Sequence, residues 1–208
     1  MNTLFDPDGF LMQGLRQISS LLLLNLLTLL FCLPLISSGA ALAAMHYVIY
    51  DMQEGREGYI GRTLLTRFKA DLKKGTILTL LFAAAGIFLY IDYQAASGEN
   101  ALLPPFFKIP AIALGILLFA VFLYAIPLEA KFENTVSATL KNAAILAAAY
   151  LPRTIGMMAI DAVFIFLVTQ VSRLLPLAFF FGLSLPAFLR SFLYYPLLKK
   201  MADPRKEE

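Results

Sequence analysis

The sequence predicts an all-α fold: a polytopic membrane helical bundle of about five transmembrane helices with an amphipathic cytoplasmic helix, built as a single integral membrane domain over residues 1–208. Three observations predict it. Of the 208 residues, 60% are hydrophobic and only 15% charged, with a mean hydropathy of +0.75, whereas soluble globular chains hold roughly 45–50% apolar and about 25% charged residues. The charges gather between continuous apolar runs, each long enough as a helix to cross roughly 30 Å of hydrocarbon. The alternating segments of about ten residues that mark an outer-membrane barrel do not occur, so helices are expected to satisfy the backbone internally.

The first expected span runs from Ile18 to about Val48 and holds no Asp, Glu, Lys or Arg. At its middle it reads FCLPLISSGAA, from Phe31 to Ala41. Pro34 has no amide proton and crowds the carbonyl of Leu30, so a helix here kinks or opens. Ser37 or Ser38 can hydrogen-bond the freed backbone groups. Gly39 with Ala43, and Ala40 with Ala44, form small-xxx-small pairs that admit a close neighbour. A kinked, tightly packed span is the simpler reading. The functional alternative is a broken helix lining a substrate site.

The next segment, Asp51 to Lys74, carries Arg56, Arg62, Arg67, Lys69, Lys73 and Lys74. Within it, Ile60, Leu64, Leu65, Phe68 and Leu72 recur at helical spacing, which predicts an amphipathic helix over about 60–74. Arg62, Leu65, Phe68, Lys69 and Lys73 are its candidate surface, for anionic lipid or for a protein partner with Phe68 as the apolar anchor.

Further spans are expected over 75–93, 110–128, 143–171 and 174–198. The connection from Gln94 to Ile109 holds only Lys108 beside Glu99, while Lys131 and Lys141 fall in the next inner loop and Lys199, Lys200, Arg205 and Lys206 in the tail. By the positive-inside rule the Asp51–Lys74 segment and the carboxyl terminus are cytoplasmic. Five crossings then put the amino terminus outside; a first run turning back at Pro34–Gly39 as a hairpin puts it inside. Tyr47, Tyr50, Tyr59, Tyr90, Tyr93, Tyr150, Tyr194 and Tyr195 lie near span ends, where amphipathic rings settle. Thr66–Phe82 and Asn134–Tyr150 align weakly as an internal repeat, a match that apolar sequence also produces by coincidence.

Ionisable residues at membrane depth are candidates for function. Three stand in or near the last two spans: Arg153, Asp161 and Arg190. Arg153 and Asp161 are separated by about 12 Å along a helix, too far for a direct pair. Asp161 can bind a proton or a polar substrate, or pair with Arg190 to lock the bundle; Arg153 and Arg190 can snorkel to the interface. Structural pairing or snorkelling is favoured, because coupling sites usually gather more than one acid.

No enzyme is expected. The chain has no HExxH, GxSxG or GxxxxGK[ST], and its single histidine, His46, has Tyr50 four residues on. Cys32 is the only cysteine, so neither a disulfide nor a cysteine metal motif can form within the chain. No cofactor or metal is called for, and no soluble segment is long enough to read nucleic acid despite a net charge of +3. The amino-terminal MNTLFDPDGFLMQGLR lacks a basic n-region, so the first apolar run is expected to stay in the mature protein.

The residues LLNLLTLLFCLPLISSGAALAAMHYV, followed by EGYI and RFKADLKKGTI, resemble the YesL-like family of bacterial integral membrane proteins, a domain of unknown function. TLKNAAILAAAYLPRTI is similar to that family's second half, so the resemblance runs over essentially the whole chain. Thr28 stands where many relatives carry tryptophan, and Ser37-Ser38 where threonine is common. The resemblance implies a multi-pass protein of the bacterial plasma membrane, often encoded beside sugar-binding and permease components of carbohydrate ABC transporters. It implies ABC transporter permease subunits as partners beside the lipid bilayer, and it supplies no catalytic residues. An accessory role in carbohydrate uptake is therefore the leading expectation; a small autonomous transporter, with its polar site at Pro34–Gly39 and Asp161, is the alternative.

Overall fold

The computed structural model describes residues 10–56, 58–97, 104–170 and 174–202. Among these the chain is all-helical: α1 Phe10–Cys32, α2 Ser38–Gln53, α3 Ile60–Ala95, α4 Lys108–Lys131, α5 Val136–Ala149, α6 Leu151–Gln170, α7 Leu175–Phe181 and α8 Ser184–Ala202. Four helices are long and apolar enough to cross a membrane: Met12–Cys32, Ile60–Ala95, Lys108–Lys131 and Leu151–Gln170. α7 and α8 make a fifth if the pair, bent by 61°, is one span.

The first expected span, Ile18–Val48, is two helices rather than one kinked helix. Pro34 disfavours helical backbone at the residue before it, and α1 ends at Cys32. Pro34 itself is extended, and a short tight turn over Leu35–Ser37 leads into α2. Leu21 and Leu24 of α1 then share one apolar cluster with Ala44, Met45, Val48 and Ile49 of α2. Gln13, Arg16 and Gln17 line a cavity with Asp51, Met52 and Arg56, although a continuous helix would set Gln13 and Asp51 more than about 50 Å apart. The two helices are therefore an antiparallel hairpin. The start of α1 lies at the same end of the molecule as the Asp51–Arg56 turn, the relationship the hairpin alternative expects.

α2 is the central post. Ten of its 16 residues are buried, and it contributes to both apolar clusters, Ala43 and Tyr50 to one and Ala44 to Ile49 to the other. Its small residues permit this: Ala40, Ala41, Ala43 and Ala44 are fully enclosed, so neighbouring backbones come close on several sides.

α3 unites two expected elements. The amphipathic segment over 60–74 and the span over 75–93 form one helix of 36 residues, about 54 Å long and hence longer than the hydrocarbon layer is thick. Of its most apolar stretch only 11% is buried within the protein, with Ile87 and Phe88 60% and 64% exposed. An outward face of this kind has lipid as its solvent. The basic first turns extend beyond that apolar stretch.

The expected span 143–171 straddles a break. α5 stops at Ala149 and α6 begins at Leu151, with Pro152 in the first turn of α6, where no backbone donor is needed; Val171 lies outside the described residues. The two segments proposed as a repeat fall one inside the 36-residue α3 and the other across the 14-residue α5. Among the tyrosines assigned to interfaces, Tyr59 and Tyr90 are exposed, but Tyr50 and Tyr194 are core residues at 1% exposure. Their rings meet edge to face with centroids 6.0 Å apart.

Candidate functional site

Among the described residues the bundle holds several polar systems. The first repairs the helix breaks. Leu33 N–H donates to Leu30 O at 3.3 Å and Ser37 N–H to Pro34 O at 2.8 Å. The Ser37 hydroxyl lies 3.2 Å from Phe31 O and 2.9 Å from Pro34 O and shares its proton between them. Ser37 is thus the serine that mends the turn, while Ser38 opens α2. Gly39 N–H, an orphan donor at the start of α2, donates to Thr79 Oγ1 of α3 at 2.7 Å, and Thr79 passes its own proton to Gly75 O at 2.9 Å. A Cβ on Gly39 would collide with the Gly75 carbonyl, and one on Gly75 with the Ala40 backbone. The close approach foreseen at Gly39 has Gly75 as its other half. Ala43 is fully buried in the cluster that includes Leu123, Ala143 and Tyr194.

Asn25 does for the α7–α8 break what Thr79 does for α2. Its Oδ1 accepts from Leu183 N–H at 2.9 Å and Ser184 N–H at 3.0 Å, and its Nδ2 donates to Phe179 O at 2.9 Å. Neither Asn25 nor Thr79 was singled out by sequence reasoning. The signal for Asn25 was one amide alone in LLLLNLLTLL, since a membrane-depth amide seeks an interhelical partner.

The second system is the intramembrane ion pair. Arg190 Nη1 of α8 donates to Asp161 Oδ2 of α6 at 2.7 Å, with side-chain exposures of 15% and 13%. The pair borders a cavity of about 240 Å³ lined otherwise by apolar groups from α2, α4, α6 and the α7–α8 break, together with His46. His46 Nδ1 and Arg190 Nε are buried without a hydrogen-bond partner. Arg153 stands apart: its guanidinium lies 5.6 Å from the Tyr150 ring. The broken first helix and Asp161 do not form one polar site. Pro34, Leu35 and Ile36 are exposed at the hairpin tip, and His46, further along α2, is what faces the ion pair's cavity.

The third system ties the helix ends. Glu54 Oε1 accepts from Lys131 Nζ at 3.1 Å and from the Tyr195 hydroxyl at 2.9 Å, and Oε2 pairs with Arg56. Gly55 takes a φ of +67°, a left-handed conformation suited to glycine, which turns the chain directly after this carboxylate. Tyr50 donates to Pro127 O at 2.8 Å, and Gln53 to Ser191 Oγ at 2.7 Å. Partial burial pushes the Glu54 carboxyl up, but hydrogen bonds from Lys131 and Tyr195 and the Lys131 and Arg56 charges outweigh it, holding the group below the ordinary carboxylate value. Glu54 thus joins α2, α4 and α8, and Asp51 pairs with Arg56 at 3.0 Å. Among the described residues no three His, Cys, Asp or Glu side chains are grouped to hold a metal ion.

On the outer face of α3, Arg62, Leu65, Lys69 and Lys73 are exposed. Phe68 is not the outward anchor expected of it: its ring stacks on Phe31 of α1 with centroids 4.7 Å apart and planes 10° from parallel. The exposed apolar groups are Leu65 and Leu72, 40% and 37% exposed. Spacings of three and four residues put Arg62, Leu65, Lys69 and Lys73 in one stripe.

Residues 21–93, covering most of the α1–α2 hairpin and α3, match a family described as "Protein of unknown function, DUF624". The chain is also similar to the uncharacterized protein YteU of Bacillus subtilis (strain 168), 25% identical over 162 residues that cover 77% of this chain and 71% of YteU. No solved structure matches the chain. The hairpin, its Gly39–Gly75 contact and the long third helix are thus the part in which this multi-pass, membrane-type bundle is similar to a family whose function is not assigned.

Proposed function

We propose that the chain is a non-enzymatic accessory protein of the bacterial plasma membrane that assists carbohydrate uptake by contacting an ABC transporter permease. The observation that carries the reading is the Arg62–Leu65–Lys69–Lys73 stripe, a basic and partly apolar face left uncovered on the first turns of α3. Such a face suits both the anionic inner leaflet and a partner helix. The resemblance to YesL-like proteins supports the carbohydrate context. In this reading the end that gathers Arg56, Lys131 and Lys199 around Glu54 and Tyr195 is cytoplasmic by the positive-inside rule, and so are the start of α1 and the end of α8.

The test is gentle affinity purification of the tagged protein from its native membrane, with mass spectrometry of what remains bound. Permease subunits of a sugar transporter in near-equal amount, lost in Leu65→Glu while the variant still inserts, are the expected result. Recovery of the protein alone, or an unchanged complex in Leu65→Glu, removes the stripe from consideration. Phe68→Glu is the wrong variant for this purpose, because it breaks the stack on Phe31.

A further inference from the structure

The cavity beside Asp161 has features that the accessory role does not use. Its walls are apolar, with Leu42 and Met45 from α2, Phe119 and Phe122 from α4, and Phe164 and Ile165 from α6. Two of these, Phe119 and Ile165, are 38% and 60% exposed, on helices whose outward faces are apolar. The cavity therefore opens sideways, toward hydrocarbon rather than water. At its polar wall, His46 is only 4% exposed, yet its Nδ1 has no partner, and neither has Arg190 Nε. Buried groups of this kind are costly unless something pairs with them.

We propose that this cavity binds a single-chain amphiphile drawn from the membrane, an apolar tail ending in one uncharged hydroxyl-bearing head: an alcohol or a protonated carboxylic acid. The chemistry of the head follows from the two orphaned atoms. Arg190 Nε can only donate, so the head must accept; a ring nitrogen of histidine donates or accepts. A hydroxyl or carboxylic acid group supplies both functions. Charge narrows the class further. Asp161 already neutralises Arg190 at 2.7 Å, so an anionic head would leave an unbalanced charge inside the hydrocarbon layer. A sugar, with hydroxyls on every side, would leave most of them unpaired against Leu42, Phe122 and Phe164.

The experiment uses the full chain in lipid nanodiscs with a dodecanol bearing a photoreactive diazirine in its tail, followed by peptide mapping of the label. The expected result is saturable labelling of the α4 and α6 segments around Phe119 and Ile165, displaced by dodecanol and not by dodecane. His46→Phe, which keeps ring volume and deletes the hydrogen bond, should weaken it roughly tenfold. Ile165→Trp at the exposed rim should reduce labelling while leaving the thermal midpoint unchanged, which keeps the test decisive even where His46→Phe folds poorly. Labelling that never saturates, displacement by dodecane as good as by dodecanol, or labelling indifferent to both variants overturns the proposal.

Discussion

Asn25 on α1 caps Ser184 on α8 from another helix: its Oδ1 accepts the Ser184 N–H at 3.0 Å while also accepting from Leu183 N–H. A helix that starts inside a membrane exposes donors that water would satisfy elsewhere. Here a neighbouring helix supplies the acceptor, and Thr79 treats Gly39 the same way. Breaks in two apolar segments are thereby made stable by side chains far away in sequence.

Replacing Asn25 by Leu should therefore destabilise the bundle by about 2 kcal/mol or more, because Leu183 N–H, Ser184 N–H and Phe179 O all lose their partner. Thermal unfolding in detergent reads the effect. A midpoint equal to that of the natural chain would mean the α7–α8 break is held by packing alone.

The Gly39–Gly75 contact predicts a contrast between glycines. Gly75→Ala should cost roughly 2 kcal/mol by driving α2 and α3 apart, and Gly39→Leu more. Gly86, on the same helix with nothing within 4 Å of an added Cβ, should accept Ala with no loss or a gain of about 0.5 kcal/mol. Equal behaviour of Gly75→Ala and Gly86→Ala in a stability assay would remove the close approach as the reason for the glycine.

Glu54 predicts a pH dependence. Its carboxyl is held below the ordinary value of 4.5, so the unfolded chain takes up the proton first as pH falls. The stabilisation is fully present above that value and is lost as pH drops through the lower folded value. Glu54→Gln should lie below the natural protein in midpoint near neutral pH and converge with it in acid. Parallel curves down to acid pH would contradict the assignment.

The Asp161–Arg190 pair predicts non-additivity. Asp161→Leu leaves a buried guanidinium without its counter-charge and should cost roughly 3–5 kcal/mol, whereas Asp161→Leu combined with Arg190→Leu should recover most of that loss. Folded yield and midpoint in nanodiscs check both. A double variant as poor as the single one would show that each side chain has a further partner.

The class of fold was legible in the sequence because hydrocarbon imposes long apolar runs that composition alone reveals. The breaker at Pro34 was legible too, but not the sense of the bend: a proline ends a helix, and the packing of Leu21 and Leu24 onto Ala44 to Ile49 decides that the chain doubles back. The breaks near Tyr150 and Gly182 were missed since hydropathy stays high across them. Arg62, Leu65, Lys69 and Lys73 fall on one exposed face as their spacing implies, while Phe68, on the same helical repeat, turns toward Phe31 for a reason visible only once α1 lies alongside. Asp161 was visible as a lone acid at membrane depth. The orphaned Nδ1 of His46 beside the same cavity was not, because it depends on three helices meeting.

The burial of α2 sets an order of assembly. At 16 residues it is about 24 Å long, shorter than the hydrocarbon layer, and the groups that fix its far end, Pro127 O, Lys131, Ser191 and Tyr195, are all synthesised after it. A nascent chain that has exposed only the hairpin lacks every one of these partners. α2 thus enters the bilayer as a provisional guest and becomes a permanent strut only when α8, translated later, closes against it.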